Sequence, residues 1–510
     1  MGMNWVDKQN NKVKTIIKNS TLNVISQILT VAITFATRVV SLKLVGAEVL
    51  GINGTILSLI GALSLADLGF QSAIIYRLYA PIKNHDENKI NEIVNIFRVV
   101  YRFVGCAIFV LGMILIPFLP MLLKDVVVGE TVYIIYVIHI TNTVISYFSS
   151  YRQTLLFANQ KDYITKSVFV LCRIICGGLK IVCLVYFRNY YLFLATEIIQ
   201  TLAGNIIVHI ISNKYYPYLH IKKYDNVLLR TILGDVKHVF SSRMASYVYF
   251  STDNIIISSL IGAVHVTLLG NYTIVTNQIK TLVNSLMDPI IPFIGEDLVD
   301  KSSKEIGTFF SYTHLRFLVA CFLIIPTFVL IDPFVSMAFG EEYVLGNTIK
   351  MLLTIDLYIN ILYAPCYEYN NASGLFNEEK KVMIKGAIIN LITSIILAFP
   401  LALSGILLGT VVSQVYLWIS RGKVTFTHCL PHAKAYESRY IIRNLIYIII
   451  VTILCFAINY IFENTMARIE IGGLVLWAIA IEVTVILLAL TVFNLFPENK
   501  KLLRRVDRKK

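Results

Sequence analysis

Charge is what this sequence has least of: 15% of its 510 residues are Asp, Glu, Lys or Arg, where a soluble domain carries roughly a quarter. That scarcity excludes an ordinary water-solvated globule. The eight cysteines do not form a disulfide framework, since seven fall in hydrophobic stretches and Cys429 in a polar break. Cys172, Cys176 and Cys183 share one helix face as metal ligands do, but no His or carboxylate joins them, so they read as small packing residues. There is no glycine loop ending in Gly-Lys-Ser/Thr, which excludes ATP hydrolysis by this chain. His428 and His432 have ligand spacing, but Pro431 breaks the turn between them. Asp125 and Glu130, like Glu341 and Glu342, stand in short loops without a histidine, too small to build a catalytic pocket. No metal, cofactor or enzymatic activity is expected.

What the chain has instead is hydrophobic length, with 56% hydrophobic residues and a mean hydropathy of +0.70. A membrane-crossing helix needs about 20 mainly apolar residues. Such stretches fall at roughly 16–44, 50–75, 93–117, 131–157, 164–187, 190–212, 238–262, 266–295, 306–332, 346–373, 382–400, 402–421, 444–462 and 471–496. The fold class is therefore an all-α polytopic membrane protein of about 14 transmembrane helices. The first stretch is too long for a signal core, holds Arg38, and lacks a small-residue cleavage site.

The net charge of +14 invites a nucleic-acid reading, but its distribution argues against one. With the N-terminus inside, 32 of the 45 Lys and Arg lie in cytoplasmic segments and their flanks, and three (Lys124, Arg188 and Arg468) in outer loops. This asymmetry places both termini in the cytoplasm by the positive-inside rule and supports the span count.

Organisation follows the spans. Residues 1–212 form an N-terminal lobe of six helices, 213–237 a cytoplasmic linker, and 238–425 a C-terminal lobe of six more. Residues 426–510 hold helices 13 and 14 and a basic tail. The lobes look related. The first helix ends at Val45-Gly46-Ala47, with Leu50-Gly51 opening the second; the seventh ends at Ile261-Gly262-Ala263, with Leu269-Gly270 opening the eighth. An offset of six helices keeps orientation, so the repeat is parallel, about an axis along the membrane normal.

Polar side chains inside a membrane face a partner helix or a water-filled cavity. In the first helix Asn23, Gln27, Thr30, Thr34, Thr37/Arg38 and Ser41 recur every three or four residues, which puts them on one face. The seventh carries Arg243, Ser246, Asp253 and Asn254, and the eighth Asn277, Lys280/Thr281, Asn284 and Asp288. The fourth has His139, Asn142/Thr143, Ser146, Ser149/Ser150 and Gln153. The tenth has Asp356, Asn360, Tyr363, Tyr367 and Asn370/Asn371, and the second Ser64, Asp67 and Gln71. Glu482 stands alone in the last helix. The cations expected to be buried are Arg38, Arg102, Arg152, Arg173, Lys180, Arg243 and Lys280, either meeting an anionic cargo or snorkelling to the interface. The expected cavity comprises Arg38, Asn23, Gln27, Thr34, Asp67, Arg152, Arg243, Asp253, Asn254, Asn277, Lys280, Asn284, Asp356 and Asn360. Arg38 and Asp253, at matching depths, are the candidate gate pair, the alternative being that Asp253 meets Lys280.

The run VGAEVLGING (45–54), SLADLGF (64–70), AIIYRLYAPI (73–82), STDNIIIS (251–258) and ASGLF (372–376), in that order, resembles the Wzx-type polysaccharide and oligosaccharide flippases of the multidrug/oligosaccharidyl-lipid/polysaccharide exporter superfamily. The resemblance runs from about 15 to 425. It implies two pseudo-symmetric helical lobes around a central cavity. It also implies alternating-access transfer of an undecaprenyl-diphosphate-linked oligosaccharide repeat from the inner to the outer leaflet, for surface polysaccharide such as capsule, O-antigen or exopolysaccharide. On that reading the diphosphate meets the buried cations and the glycan meets the Ser, Thr and Asn faces. The expected partners are the lipid-linked glycan and membrane lipids, with other polysaccharide-assembly proteins as candidates and nucleic acid excluded; the expected location is a bacterial plasma membrane. Rivals within the fold are a lipid II flippase and a cation-coupled drug exporter. A membrane-embedded polymerase or ligase would call for a sizeable outer loop bearing Arg or His, which the spans leave no room for.

Overall fold

The computed structural model describes residues 29–64, 74–75, 77–78, 81–82, 84–123, 129–148, 150–159, 161–221, 229–230, 252–287 and 305–465. Asn23, Gln27, Asp67, Arg243, Asp288, Glu482 and the expected last span at 471–496 lie outside the described residues. The described chain is helical throughout, with no strand among those residues. The helices are α1 (29–45), α2 (Ala47–Leu63), α3 (Glu87–Leu115), α4 (Glu130–Tyr147), α5 (Ser150–Ala158), α6 (Asp162–Val185) and α7 (Tyr190–Tyr215). They continue with α8 (Asp253–Leu260), α9 (Ala263–Met287), α10 (Glu305–Phe339), α11 (Asn347–Ala372), α12 (Phe376–Val424) and α13 (Glu437–Thr465). In the described part of each of the first thirteen expected spans the chain is helical. Seven of these helices are long and apolar enough to cross a membrane, and α4 with α5 make an eighth, bent by 45°. The protein is an all-α, multi-pass membrane protein.

Local chemistry sets the helix ends. Asp86 caps α3 by accepting the Lys89 N–H at 3.0 Å, and Asn189 caps α7 by accepting that of Leu192 at 3.1 Å. Gly46 (φ +93°) and Gly262 (φ +138°) adopt a backbone that side chains disfavour, and α2 and α9 each begin at the following alanine. That shared geometry agrees with the offset between Val45 and Ile261, which sets Asn254 opposite Arg38, Gly51 opposite Thr267 and Gly54 opposite Gly270.

The 49 residues of α12 contain a reversal at Ala402 (φ +49°, ψ −129°), just after Pro400. Its two arms correspond to the expected spans 382–400 and 402–421. They pack without side chains between them at two points. A Cβ on Gly405 would overlap the Leu397 carbonyl, and one on Gly409 would lie 2.5 Å from the Ser394 nitrogen. Asn390 donates to both Thr410 and Ser413 across the seam. Small residues permit the close approach and polar ones bond across it, the usual means of holding helices where lipid offers no hydrophobic drive.

The chain forms two compact units, Met1–Thr267 and Leu268–Lys510. In the first, α4 packs on α2, α3 and α7, α6 on α7, and α8 on α2. On α6, Leu171, Ile175, Leu179 and Val182 are exposed while Cys172 and Cys176 are buried, which separates a lipid-facing stripe from a packed one. The cysteines thus serve as packing residues. In the second unit α11 packs on α10 and α12, and α13 on α10. An aromatic cluster joins them: Phe309 lies 5.0 Å from Tyr369, 5.4 Å from Phe426 and 5.5 Å from Tyr440, measured between ring centres.

Candidate functional site

Each unit carries a layer of buried polar groups contributed by several helices. In the first unit His139 of α4 is 1% exposed. Its Nε2 meets Asn53 Oδ1 of α2, and its Nδ1 lies 3.4 Å from Glu197 Oε2 of α7. The other Glu197 oxygen accepts from Lys180 Nζ of α6 at 2.8 Å, and that ammonium sits 5.0 Å from the centre of the Phe193 ring. Tyr190 interacts electrostatically with both Glu197 and Arg38, linking the layer to α1. Helices α1 and α6 come close because Gly177 rests directly on Ile33. Arg38 Nη2 donates to the Thr267 carbonyl at 3.1 Å, and Asn254 donates to Ser58 Oγ at 3.0 Å. Thr34 is exposed on the face that carries Arg38. Asp253 stands in the first turn of α8, where its charge complements the helix dipole.

Arg152 occupies a separate place in this unit. It is buried, and its Nη1 donates to Asn213 Oδ1 at 2.5 Å and to Ser212 Oγ at 3.4 Å, both on α7. Nearby, Gln153 donates to Asn205 at 3.0 Å.

In the second unit Lys280 of α9 and Asp356 of α11 interact as opposite charges, and Arg421 of α12 also acts on Lys280. Arg421 Nε donates to Glu379 Oε2 at 3.0 Å, and its guanidinium lies 4.6 Å and 4.7 Å from the Tyr363 and Tyr367 ring centres. Asn370, wholly buried, donates to Glu379 Oε1 at 2.6 Å and accepts from Thr425 at 2.9 Å. Asn360 donates to Tyr363 at 2.6 Å. Asn277, Thr281 and Asn284 are exposed on α9, an amide and hydroxyl surface that lipid would not solvate.

The structure therefore brings Lys280, Asp356 and Asn360 into one polar neighbourhood. It ties Arg38 to Thr267 and Asn254 to Ser58, and leaves Asn277, Asn284 and Thr34 open on helix faces. Arg102 and Arg173 are corrected: both are exposed rather than buried, as long side chains on an open helix face can reach polar surroundings. Several charges went unanticipated. Glu197 pairs with Lys180, Glu379 with Arg421, Glu368 with Arg316, and Asp332 with Lys350 at 2.9 Å. Each partner is far away in sequence, on another helix or, for Glu379 and Arg421, on the other arm of α12, and so leaves no periodic mark. For all of them but Glu379, presence in a span was the available signal, since an ionised side chain there must be compensated.

Residues 16–296 match the polysaccharide biosynthesis protein family. The chain belongs to that family. No curated protein matches it by sequence. Among solved structures it is similar to a lipid II flippase, MurJ, in an inward closed conformation, with a TM-score of 0.64 and 15% identity over 94% of this chain and 98% of that one. It is also similar to an inward-facing multidrug resistance MATE family transporter of the MOP superfamily, with a TM-score of 0.61 and 13% identity over 78% of this chain and 96% of that one. A third is the Vibrio cholerae MATE transporter VcmN in the bent form, with a TM-score of 0.51 and 14% identity over 84% and 98%. The fold is one that flippases and transporters use, not one of the soluble enzyme folds.

Proposed function

We propose that this family member is a flippase. It carries an undecaprenyl-diphosphate-linked oligosaccharide repeat from the inner to the outer leaflet of a bacterial plasma membrane by alternating access. Lipid-linked glycan and membrane lipids are its partners, both termini face the cytoplasm, and residues 1–212 and 238–425 act as the two lobes. The observation that carries this reading is the pairing of cations with open polar faces on spanning helices: Thr34 with Arg38 on α1, and Asn277, Thr281 and Asn284 with Lys280 on α9. Exposed amides and hydroxyls at membrane depth suit a hydroxyl-rich glycan, and arginine suits a diphosphate. Membership of a polysaccharide biosynthesis family supports the same cargo class.

Deleting the gene should abolish surface polysaccharide and accumulate the lipid-linked repeat on the cytoplasmic leaflet. Unchanged surface polysaccharide in the deletion strain would refute the reading. Similarity to a lipid II flippase favours one alternative: restored growth of a strain depleted of its own lipid II flippase would establish it.

A further inference from the structure

Three cations of the first unit stand at one interval on one helix. Lys166, Arg173 and Lys180 are seven residues apart on α6, so they share a face and follow one another at about 10 Å along its axis. Lys166 and Arg173 are exposed, and the Lys180 side chain is partly so.

That face looks into the unit, away from lipid. Phe169 and Gly177 stand four residues to either side of Arg173, about 40° each way around the helix. Phe169 packs on Gly204 of α7, and Gly177 on Ile33 of α1. Arg173 therefore points between α1 and α7, while Leu171, Ile175, Leu179 and Val182 hold the opposite side of α6. As the first and fifth spans, α1 and α6 run in the same direction. In parallel helices, opposite turns from a shared contact lead to one side of it. Arg173 precedes Gly177 by four residues and Thr37 follows Ile33 by four, so the cations of α6 and the threonines of α1 border one groove. By equal rise from the contact, Thr34 falls between the levels of Arg173 and Lys180, and it is exposed.

The rungs differ in charge balance. Lys180 is held by Glu197 at 2.8 Å. Arg173, midway along α6, has no hydrogen-bond or ion-pair partner among the described residues. An open guanidinium at that depth calls for water or an anion beside it, and its planar fork matches two phosphate oxygens at once. At the outer end Tyr190 interacts with both Glu197 and Arg38, which joins the row of cations to the arginine of α1.

We propose that this groove inside the first unit binds a prenyl diphosphate headgroup, held at Arg173 and passed to and from it by Lys166 and Lys180. The site rests on the flippase reading above and deepens it, giving the anion a stopping point among the helices of one unit. Lys166 meets the headgroup from the cytoplasmic end of α6. Arg173 binds it with no carboxylate in competition. At Lys180 the anion competes with Glu197, which favours release.

The test uses the full-length protein with its native cysteines replaced and Thr34→Cys as reporter, purified into phosphatidylcholine nanodiscs. Its modification is timed with two methanethiosulfonates of opposite charge, the ethylsulfonate and the ethyltrimethylammonium, each normalised to its rate with a free thiol. The anionic reagent should be favoured by about tenfold, as in a cleft lined by one sign of charge. Arg173→Gln should cut that preference at least threefold, and Arg173→Lys should keep most of it. Leu179→Cys, on the opposite face, should react with neither. Farnesyl diphosphate should slow modification of the reporter at least fivefold, and dioleoyl phosphatidylglycerol at the same concentration should not. These rates are read without export, so they separate failure of the site from failure of the flippase reading. An unreactive Thr34→Cys, equal normalised rates, a preference that survives Arg173→Gln, a reactive Leu179→Cys, or equal protection by phosphatidylglycerol would each overturn the inference.

Discussion

Removing Glu379 gives the sharpest energetic test of the charge layer in the second unit. Glu379 and Arg421 have side chains 7% and 6% exposed and meet at 3.0 Å. In Glu379→Leu the guanidinium keeps its stacking on Tyr363 and Tyr367 but loses its counter-charge, while Asn370 loses the acceptor of its 2.6 Å bond. Stranding a buried charge costs about 3–5 kcal/mol, and the orphaned amide adds about 1 kcal/mol. At about 1.4 kcal/mol per decade, the folded-to-unfolded ratio falls by roughly three to four orders of magnitude. Arg421→Met should cost a similar amount by leaving the carboxylate stranded. The double variant Glu379→Leu/Arg421→Met should recover most of the loss, because well-packed apolar replacements for a buried pair are often neutral. Unfolding would be followed by SDS titration in mixed micelles, with fluorescence of Trp418, buried one turn before Arg421, as a local reporter. If the two single losses simply add in the double variant, the pair does not act as a unit and the reasoning fails.

Three further outcomes are expected. Gly409→Val drives a branched side chain into Ser394 and should sharply lower the amount of protein reaching the membrane, measured by quantitative immunoblot, whereas Leu401→Val at the exposed reversal should not. Lys180→Met leaves Glu197 beside His139 without its ammonium and should reduce polysaccharide export at least tenfold, with Lys180→Arg restoring part of it; full export by Lys180→Met would count against the first unit's polar layer. Reporter fusions after Lys83, Lys223, Lys381 and Lys434 should read cytoplasm, and those near Glu130 and Glu342 outside, with two reversed sites enough to reject the topology.

Hydrophobic length and turn chemistry carried most of the fold. The break at Pro400–Ala402 separates two apolar runs too long to be one span, so the hairpin was readable before any contact was known. The glycines at 46 and 262 were readable as turns, and the offset between them already set Arg38 opposite Asn254; that Gly51 lies against the Ala263 carbonyl was not readable, because a close backbone approach leaves no side chain to mark it. The polar stripes of α1 and α9 were legible because several residues repeat on one face. Glu197, Glu379, Arg421 and Lys350 were not, because none belongs to a repeating polar face and each is meaningful only beside a partner far away in sequence. The resemblance to a flippase family was legible in the ordered motifs, and the family match bears it out.

The reversal in α12 bears on how the protein is made. Two arms joined at Ala402, and touching backbone to backbone at Gly405 and Gly409, leave no connecting loop long enough for either arm to settle alone. Their seam also carries Asn390, Ser394 and Ser413, which are poor company for lipid tails when unpartnered. The arms would therefore enter the bilayer as a preformed pair rather than one after the other. The insertion machinery then has to accommodate both at once. Ala402, held in a conformation that favours glycine, marks the point from which that pair is folded before lipid surrounds it.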